Sequence, residues 1–302
     1  MEITCLLDAQ AGLGESPLWS AAEQALYWVD ITAPCLHRFD PATGDRRTWK
    51  MPSTIGCAAL TSDGGLLVAL RDGIFHFNQN TEALHLIAHP EPSVAGNRYN
   101  DGKVSPDGRF FIGTMDEATL SRRTGALYCL NPDGSTQRVR DKLIVSNGLA
   151  WSADGTKMFH SDSKGQEIFR FDYHNGELSN PTLIATPSEA DGRPDGGATD
   201  VAGIYWSAGI SAGVLNGYSE SGTRLYHIAL PCAAPTMPCF GGADMRTLFI
   251  TSARDKVAPE RLRDFPLSGG LFALRTEAPG VSIEPFPTAT LPPSLLSMET
   301  PR

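Results

Sequence analysis

The chain has no apolar run near the roughly 20 residues that a helical membrane span needs, so no membrane partner is expected. It also has no basic cluster. Against 34 Asp+Glu stand 25 Lys+Arg, a net charge of −9, and nowhere do enough cations gather to neutralise several phosphates. No nucleic-acid partner is expected. The start, Met1-Glu2-Ile3-Thr4, carries neither a basic n-region nor an apolar h-region, so no signal peptide and a cytoplasmic location are expected. Six cysteines are few for 302 residues and match no zinc spacing. A chain of this length buries its own core without staples, so free thiols are expected. Windows of helical periodicity are scarce.

Turn formers and short strand-like runs are abundant. The 30 Gly and 22 Pro are spread along the whole length and not gathered in a linker. Leu26–Asp30, Leu66–Leu70, Arg109–Gly113 and Thr247–Thr251 each precede a second apolar run. Asp40-Pro41, Asn131-Pro132-Asp133-Gly134 and Asn175-Gly176 punctuate them. This is an antiparallel all-β pattern.

A turn of the form Ser-x-Asp-Gly recurs. It ends at positions 23, 64, 108, 155, 203 and 245, spaced by 41, 44, 47, 48 and 42 residues. Periods of this size, with about four strands each, predict an all-β six-bladed β-propeller. The run Ile3–Asp8 has no blade of its own and is expected to close the last blade as its outer strand, removing an exposed edge. The chain 1–302 reads as one domain, with a loose tail over 286–302.

Five residues before each turn stand Glu15, Gly56, Asn100, Asn147, Asp195 and Met237. In a propeller these positions converge on one mouth of the central channel. Four of the six carry a side-chain oxygen, two as carboxylates and two as amides, which makes a hard, oxygen-rich cation site.

The blocks Gly14-Glu15-Ser16-Pro17, Asn97–Lys103, Gly113-Thr114-Met115, Ser146–Ser152, Pro194-Asp195-Gly196 and Gly269–Leu274 resemble, in order and over nearly the whole chain, the SMP-30/gluconolactonase (regucalcin-like) family. The resemblance implies a six-bladed propeller and one divalent metal ion (Ca, Zn, Mn, Mg or Fe) held by Glu15, Asn147 and Asp195. It implies substrate contacts from Arg98 and Asn100, which lie two apart on an extended segment and so on the same side. A family glutamate that touches substrate falls at Ala118 here, with Asp116 and Glu117 just before it. Glu117 is taken as the substitute contact. The segment from Ala208 to Tyr218 looks like a local variation in the fifth blade.

The resemblance implies hydrolysis of a small-molecule sugar-acid lactone to the open-chain acid, with Asp195 as general base and Asp101 and Asp116 next in line. A metal ion would polarise the carbonyl and lower the pKa of water. The rival readings are a non-catalytic calcium- or ligand-binding propeller and a hydrolase of other esters or organophosphates. A monomer or weak homo-oligomer is expected. Gly209-Ile210-Ser211-Ala212-Gly213 fits a nucleophile elbow, but that motif needs a strand–turn–helix context which is missing. No histidine lies in the ligand blocks, which disfavours a His-rich zinc site. The segment Arg254–Leu267 exceeds what a hairpin needs and is expected to fold over the channel mouth.

Overall fold

The protein is described here by a computed structural model covering residues 2–94, 96–255 and 257–297. Twenty-four strands form six four-stranded antiparallel sheets. The first blade is β2 (Gly14–Ser20), β3 (Ala25–Asp30), β4 (Cys35–Phe39) and β5 (Arg46–Lys50). The second is β6 (Ile55–Leu60), β7 (Leu66–Leu70), β8 (Gly73–Phe77) and β9 (Leu84–Ala88). The third is β10 (Asn97–Val104), β11 (Phe110–Asp116), β12 (Gly125–Leu130) and β13 (Thr136–Leu143). The fourth is β14 (Ser146–Trp151), β15 (Lys157–Asp162), β16 (Glu167–His174) and β17 (Glu177–Ala185). The fifth is β18 (Pro194–Thr199), β19 (Tyr205–Gly209), β20 (Val214–Tyr218) and β21 (Arg224–Ala229). The sixth is β22 (Pro235–Gly241), β23 (Thr247–Ser252) and β24 (Leu271–Arg275), completed by β1 (Ile3–Leu7).

β1 pairs with β24, Ile3 opposite Leu274 and Cys5 opposite Phe272, so the ring closes as the repeat predicts. Each blade interface holds its own apolar cluster. Tyr27 and Phe75 pack between blades one and two, Phe111 and Trp151 between three and four, and Trp28 and Phe249 between six and one. The six cysteines are free. Among the described residues, no helix is long and apolar enough to cross a membrane.

The recurring turn has a local cause. In Thr61–Gly64, Ser105–Gly108 and Ser152–Gly155 the first hydroxyl donates to the Asp carboxylate, at 2.5, 2.5 and 2.6 Å. Gly64, Gly108 and Gly155 then take φ of +85°, +80° and +69°, which a residue with a Cβ adopts only with strain.

Two segments differ from expectation. Residues 286–297, expected to be loose, are docked on the ring. The Phe286 N–H donates to Leu60 O at 2.8 Å, Ser62 N–H donates to Phe286 O at 2.9 Å, and Thr290 Oγ1 donates to Pro132 O at 2.8 Å. Phe286 and Leu291 are buried between blades two and three, and Leu295 in α2 (Pro293–Ser297) packs beside them. Residues 298–302 of the expected tail lie outside the described residues. Between Ala208 and Tyr218 the fifth blade forms an ordinary hairpin, Gly209 opposite Val214. The Gly-x-Ser-x-Gly run is its turn and joins two strands, not a strand to a helix.

Candidate active site

All six innermost strands share one irregularity. Their register slips between Glu15 and Leu18, Ile55 and Cys57, Tyr99 and Gly102, Asn147 and Ala150, Pro194 and Gly197, and Pro235 and Pro238. A bulge breaks the pleat and re-aims a side chain. Here it falls in each blade at the positions that the repeat singled out. The ring is tight: a Cβ on Gly56 would lie 2.4 Å from Tyr99 O, and one on Gly196 would lie 2.3 Å from the Met237 side chain.

Hydrogen bonds join three ring members in sequence. Asn100 Nδ2 donates to Asn147 Oδ1 at 3.0 Å, and Asn147 Nδ2 donates to Asp195 Oδ1 at 2.6 Å. Asn147 Nδ2 also reaches Ser163 Oγ at 2.8 Å. Glu15 Oε2 accepts from Ser16 N–H at 3.2 Å, and Ser16 takes a φ of +48°. Glu15, Asn100, Asn147 and Asp195 are all buried.

The electrostatics of this floor are acidic. Burial pushes the Glu15 carboxyl well above its ordinary range, and the Asp195 and Asp101 charges add to that. Asp195 is pushed up to about 8 by burial and by Asp101, against relief from Arg193, Arg98 and the Asn147 hydrogen bond. Asp101 is itself raised by burial and eased by Lys103, and its Oδ2 accepts from Leu149 N–H at 3.0 Å. Glu15 is raised by Asp195 and Asp195 by Asp101, and such desolvated carboxylates beside the Asn147 amide suit a hard dication. Asn147 contributes an oxygen to a metal once its amide is turned over, which gives up the Nδ2 bonds to Asp195 Oδ1 and Ser163 Oγ and the bond accepted from Asn100. Among the described residues no three His, Cys, Asp or Glu side chains are grouped to hold a metal, so this set depends on the amide oxygen.

Above the floor opens a cavity of about 700 Å³. Leu13, Thr54, Arg98 and Arg193 line it, each two residues before a ring position, and Glu117 and Arg261 complete its charged wall. Arg98 is buried. Its Nη1 donates to Tyr99 O at 2.8 Å and Asn100 Oδ1 at 2.7 Å, and its Nε stands 3.6 Å from Glu117 Oε1. Glu117 also pairs with Arg71 at 2.5 Å. Asn100 has both Nδ2 hydrogens engaged, with Ser146 O at 2.9 Å and Asn147 Oδ1, so it orients its two neighbours and keeps only acceptor capacity at Oδ1. Asp116 is turned into its loop, holding Arg122 at 2.7 Å and Thr119, and those bonds keep it far below the usual carboxylate range. Ala118 is exposed, and of the 116–118 run only Glu117 lines the cavity.

The expected covering segment borders this cavity. Asp255, Val257, Ala258 and Arg261 line it, the last from α1 (Pro259–Asp264), and Arg261 Nη1 donates to Ser211 O at 3.3 Å. A second cavity of about 360 Å³ lies at the opposite end of the inner strands, bordered by Trp19, Pro106 and Val281–Pro285. Met237 is the one ring residue in its lining, and Glu15, Asn100, Asn147 and Asp195 line neither cavity.

Sequence reasoning missed Arg193 and Arg261. Arg193 was reachable, because the step of two that pairs Arg98 with Asn100 also pairs Arg193 with Asp195.

Comparison with known proteins identifies the family. The profile of the SMP-30/Gluconolactonase/LRE-like region matches residues 13–254. A 6-deoxy-6-sulfogluconolactonase from Pseudomonas putida is 39% identical over 280 residues, covering 92% of this chain and 96% of that protein. The crystal structure of a calcium-binding protein, regucalcin, from Agrobacterium tumefaciens superposes with a TM-score of 0.88 at 28% identity, over 93% of this chain and 96% of that one. A gluconolactonase from Xanthomonas campestris superposes with a TM-score of 0.72 at 26% identity, over 92% and 89% of the two chains. With its blades, its bulged ring and these relatives taken together, the chain belongs to the SMP-30/gluconolactonase family.

Proposed function

We propose that the protein is a lactonase that opens a sugar-acid lactone (aldonolactone) to the acid, with one divalent metal ion held by Glu15, Asn147 and Asp195. The observation that carries this reading is the convergence of these three side chains on one bulged ring beneath a cavity walled by Arg98 and Glu117. When bound, such an ion polarises a carbonyl and lowers the pKa of water. Asp195 takes the proton from the attacking water and returns it to the ring oxygen as the acyl C–O bond breaks. Arg98 Nη2 makes no hydrogen bond among the described residues and donates to a substrate oxygen. Glu117 accepts from a sugar hydroxyl while it holds Arg98 in place. Asn100 positions Arg98 and Asn147, as their hydrogen bonds require.

A second reading, a non-catalytic calcium-binding propeller, is favoured by the regucalcin likeness. Against it stands the Arg98–Glu117–Arg71 wall, which a pure ion site does not need. Asp195→Asn separates the two. It keeps an oxygen for the metal and removes the proton acceptor, so kcat falls by on the order of 10²-fold or more and excess metal does not restore it. Full kcat in the metal-saturated variant makes Asp195 only a ligand.

A further inference from the structure

Arg193 stands immediately before β18, half-buried on the cavity wall. Its backbone is fixed: its N–H donates to Ser211 Oγ at 2.9 Å and its carbonyl accepts from Ile210 N–H at 3.1 Å. Its guanidinium has no hydrogen bond and no ion pair among the described residues. Arg261 reaches the other side of the same residue, with Nη1 on Ser211 O at 3.3 Å, and has no carboxylate partner among the described residues. Its guanidinium also lies 5.7 Å from the Phe265 ring centre. Arg193 through its backbone and Arg261 through its side chain thus both anchor on Ser211, and both line the cavity.

The cavity's own carboxylates do not answer them. Glu117 is shared between Arg71 and Arg98. Asp255 rests against Gly12, where a Cβ would come within 2.5 Å of its Oδ2. Arg193 feels Asp195 electrostatically, yet that carboxylate serves the floor. A guanidinium is always charged and offers five donors in a planar fork that matches an oxyanion. In a protein of net charge −9, two such forks left open on a cavity wall make a local anion site. Residues two apart on a strand are separated by about 6.6 Å, comparable to the length of a six-carbon lactone. A substrate whose carbonyl lies over Asp195 is long enough for its far end to reach Arg193.

We propose that Arg193 and Arg261 form a subsite for an oxyanion substituent at the end of the substrate remote from the lactone carbonyl, so that the substrate class is an aldonolactone carrying a second, permanently anionic group. This rests on the lactonase reading above. Carboxylate, phosphate and sulfonate share the required chemistry.

The test compares kcat/KM for glucono-1,5-lactone with that for analogues bearing a 6-phosphate, a 6-sulfonate or a 6-carboxylate. The wild type should prefer at least one anionic analogue, with a preference that shrinks as salt rises. In Arg193→Ala and Arg261→Ala the ratio of anionic to neutral kcat/KM should fall by about 10- to 100-fold, the range of a charged hydrogen bond. Arg261 is exposed on a short helix, so its variant remains informative if Arg193→Ala does not fold. Calorimetry with the open acids, gluconate against its 6-phosphate, reads the subsite without turnover and should show the same loss. Equal wild-type rates and affinities for neutral and anionic forms overturn the proposal, as does an unchanged ratio in both variants. If no lactone is hydrolysed yet the 6-phosphate acid binds through Arg193, the lactonase reading fails and the anion subsite stands.

Discussion

Removing the metal should expose the mutual repulsion of the ring carboxylates, and Asp195→Asn should then stabilise the protein. In the fold the Asp195 carboxyl is pushed up from 3.8 to about 8, by burial first and then by Asp101. Because the folded value lies above the unfolded one, the protonated acid suits the fold. That stability is fully present below pH 3.8 and is lost as pH rises toward 8. At pH 7, roughly three units above the unfolded value, the unfolded chain has released this proton and the fold still holds it, a penalty of up to about 4 kcal/mol at 1.36 kcal/mol per unit. Asparagine keeps the oxygen that accepts from Asn147 and carries no charge to desolvate. Urea unfolding in a chelator should therefore show wild-type stability falling between pH 5 and 8. The variant should show a flatter profile and higher stability at pH 8, with the two converging near pH 4. Excess divalent ion should reverse the order, because it stabilises only the chain that binds it well. A variant less stable than wild type at pH 8 without metal would refute the electrostatic account of the floor.

Glu15→Gln, which removes one of the two ligand charges, should weaken divalent-ion binding at least tenfold by calorimetry while the far-ultraviolet spectrum stays that of the wild type; undiminished affinity would remove Glu15 from the site. Replacing 254–267 by a short Gly-Ser link should lower kcat/KM for lactones by about tenfold, about 1.4 kcal/mol, since four of its residues line the cavity; unchanged kinetics would show that the segment does not shape the pocket. Phe286→Ala should cost about 3–5 kcal/mol, because the ring is fully buried between blades two and three; a loss under about 1 kcal/mol in urea unfolding would mean that the tail is a passive cover.

The propeller was legible because its turn is chemically constrained. In three of the six inner hairpins a hydroxyl, a carboxylate and a left-handed glycine recur at fixed offsets, and the other three keep part of that set at the same period. The ring was legible for the same reason, since a fixed step from that turn lands on the bulge in every blade. The tail was not. Its Pro, Ser and Thr read as loose, whereas one buried phenylalanine and a few backbone hydrogen bonds to Leu60 and Ser62 hold it. Arg261 was not legible either, because no sequence period connects α1 to the turn at Ser211 on another blade. The partners of Asn100 and Asp116 also lie outside any pattern. A spacing shows that a side chain reaches the ring or its loop, but not whether its polar atoms are already engaged.

The central claim meets its most direct test in one substrate screen. The purified protein, stripped by chelator and then supplied with a single divalent ion, is followed by pH drop against aldonolactones, aryl esters and phosphotriesters. The account predicts acid release from an aldonolactone above all other classes, abolished by the chelator and restored by the ion. Metal-independent turnover, or a clear preference for aryl esters or phosphotriesters, would contradict it.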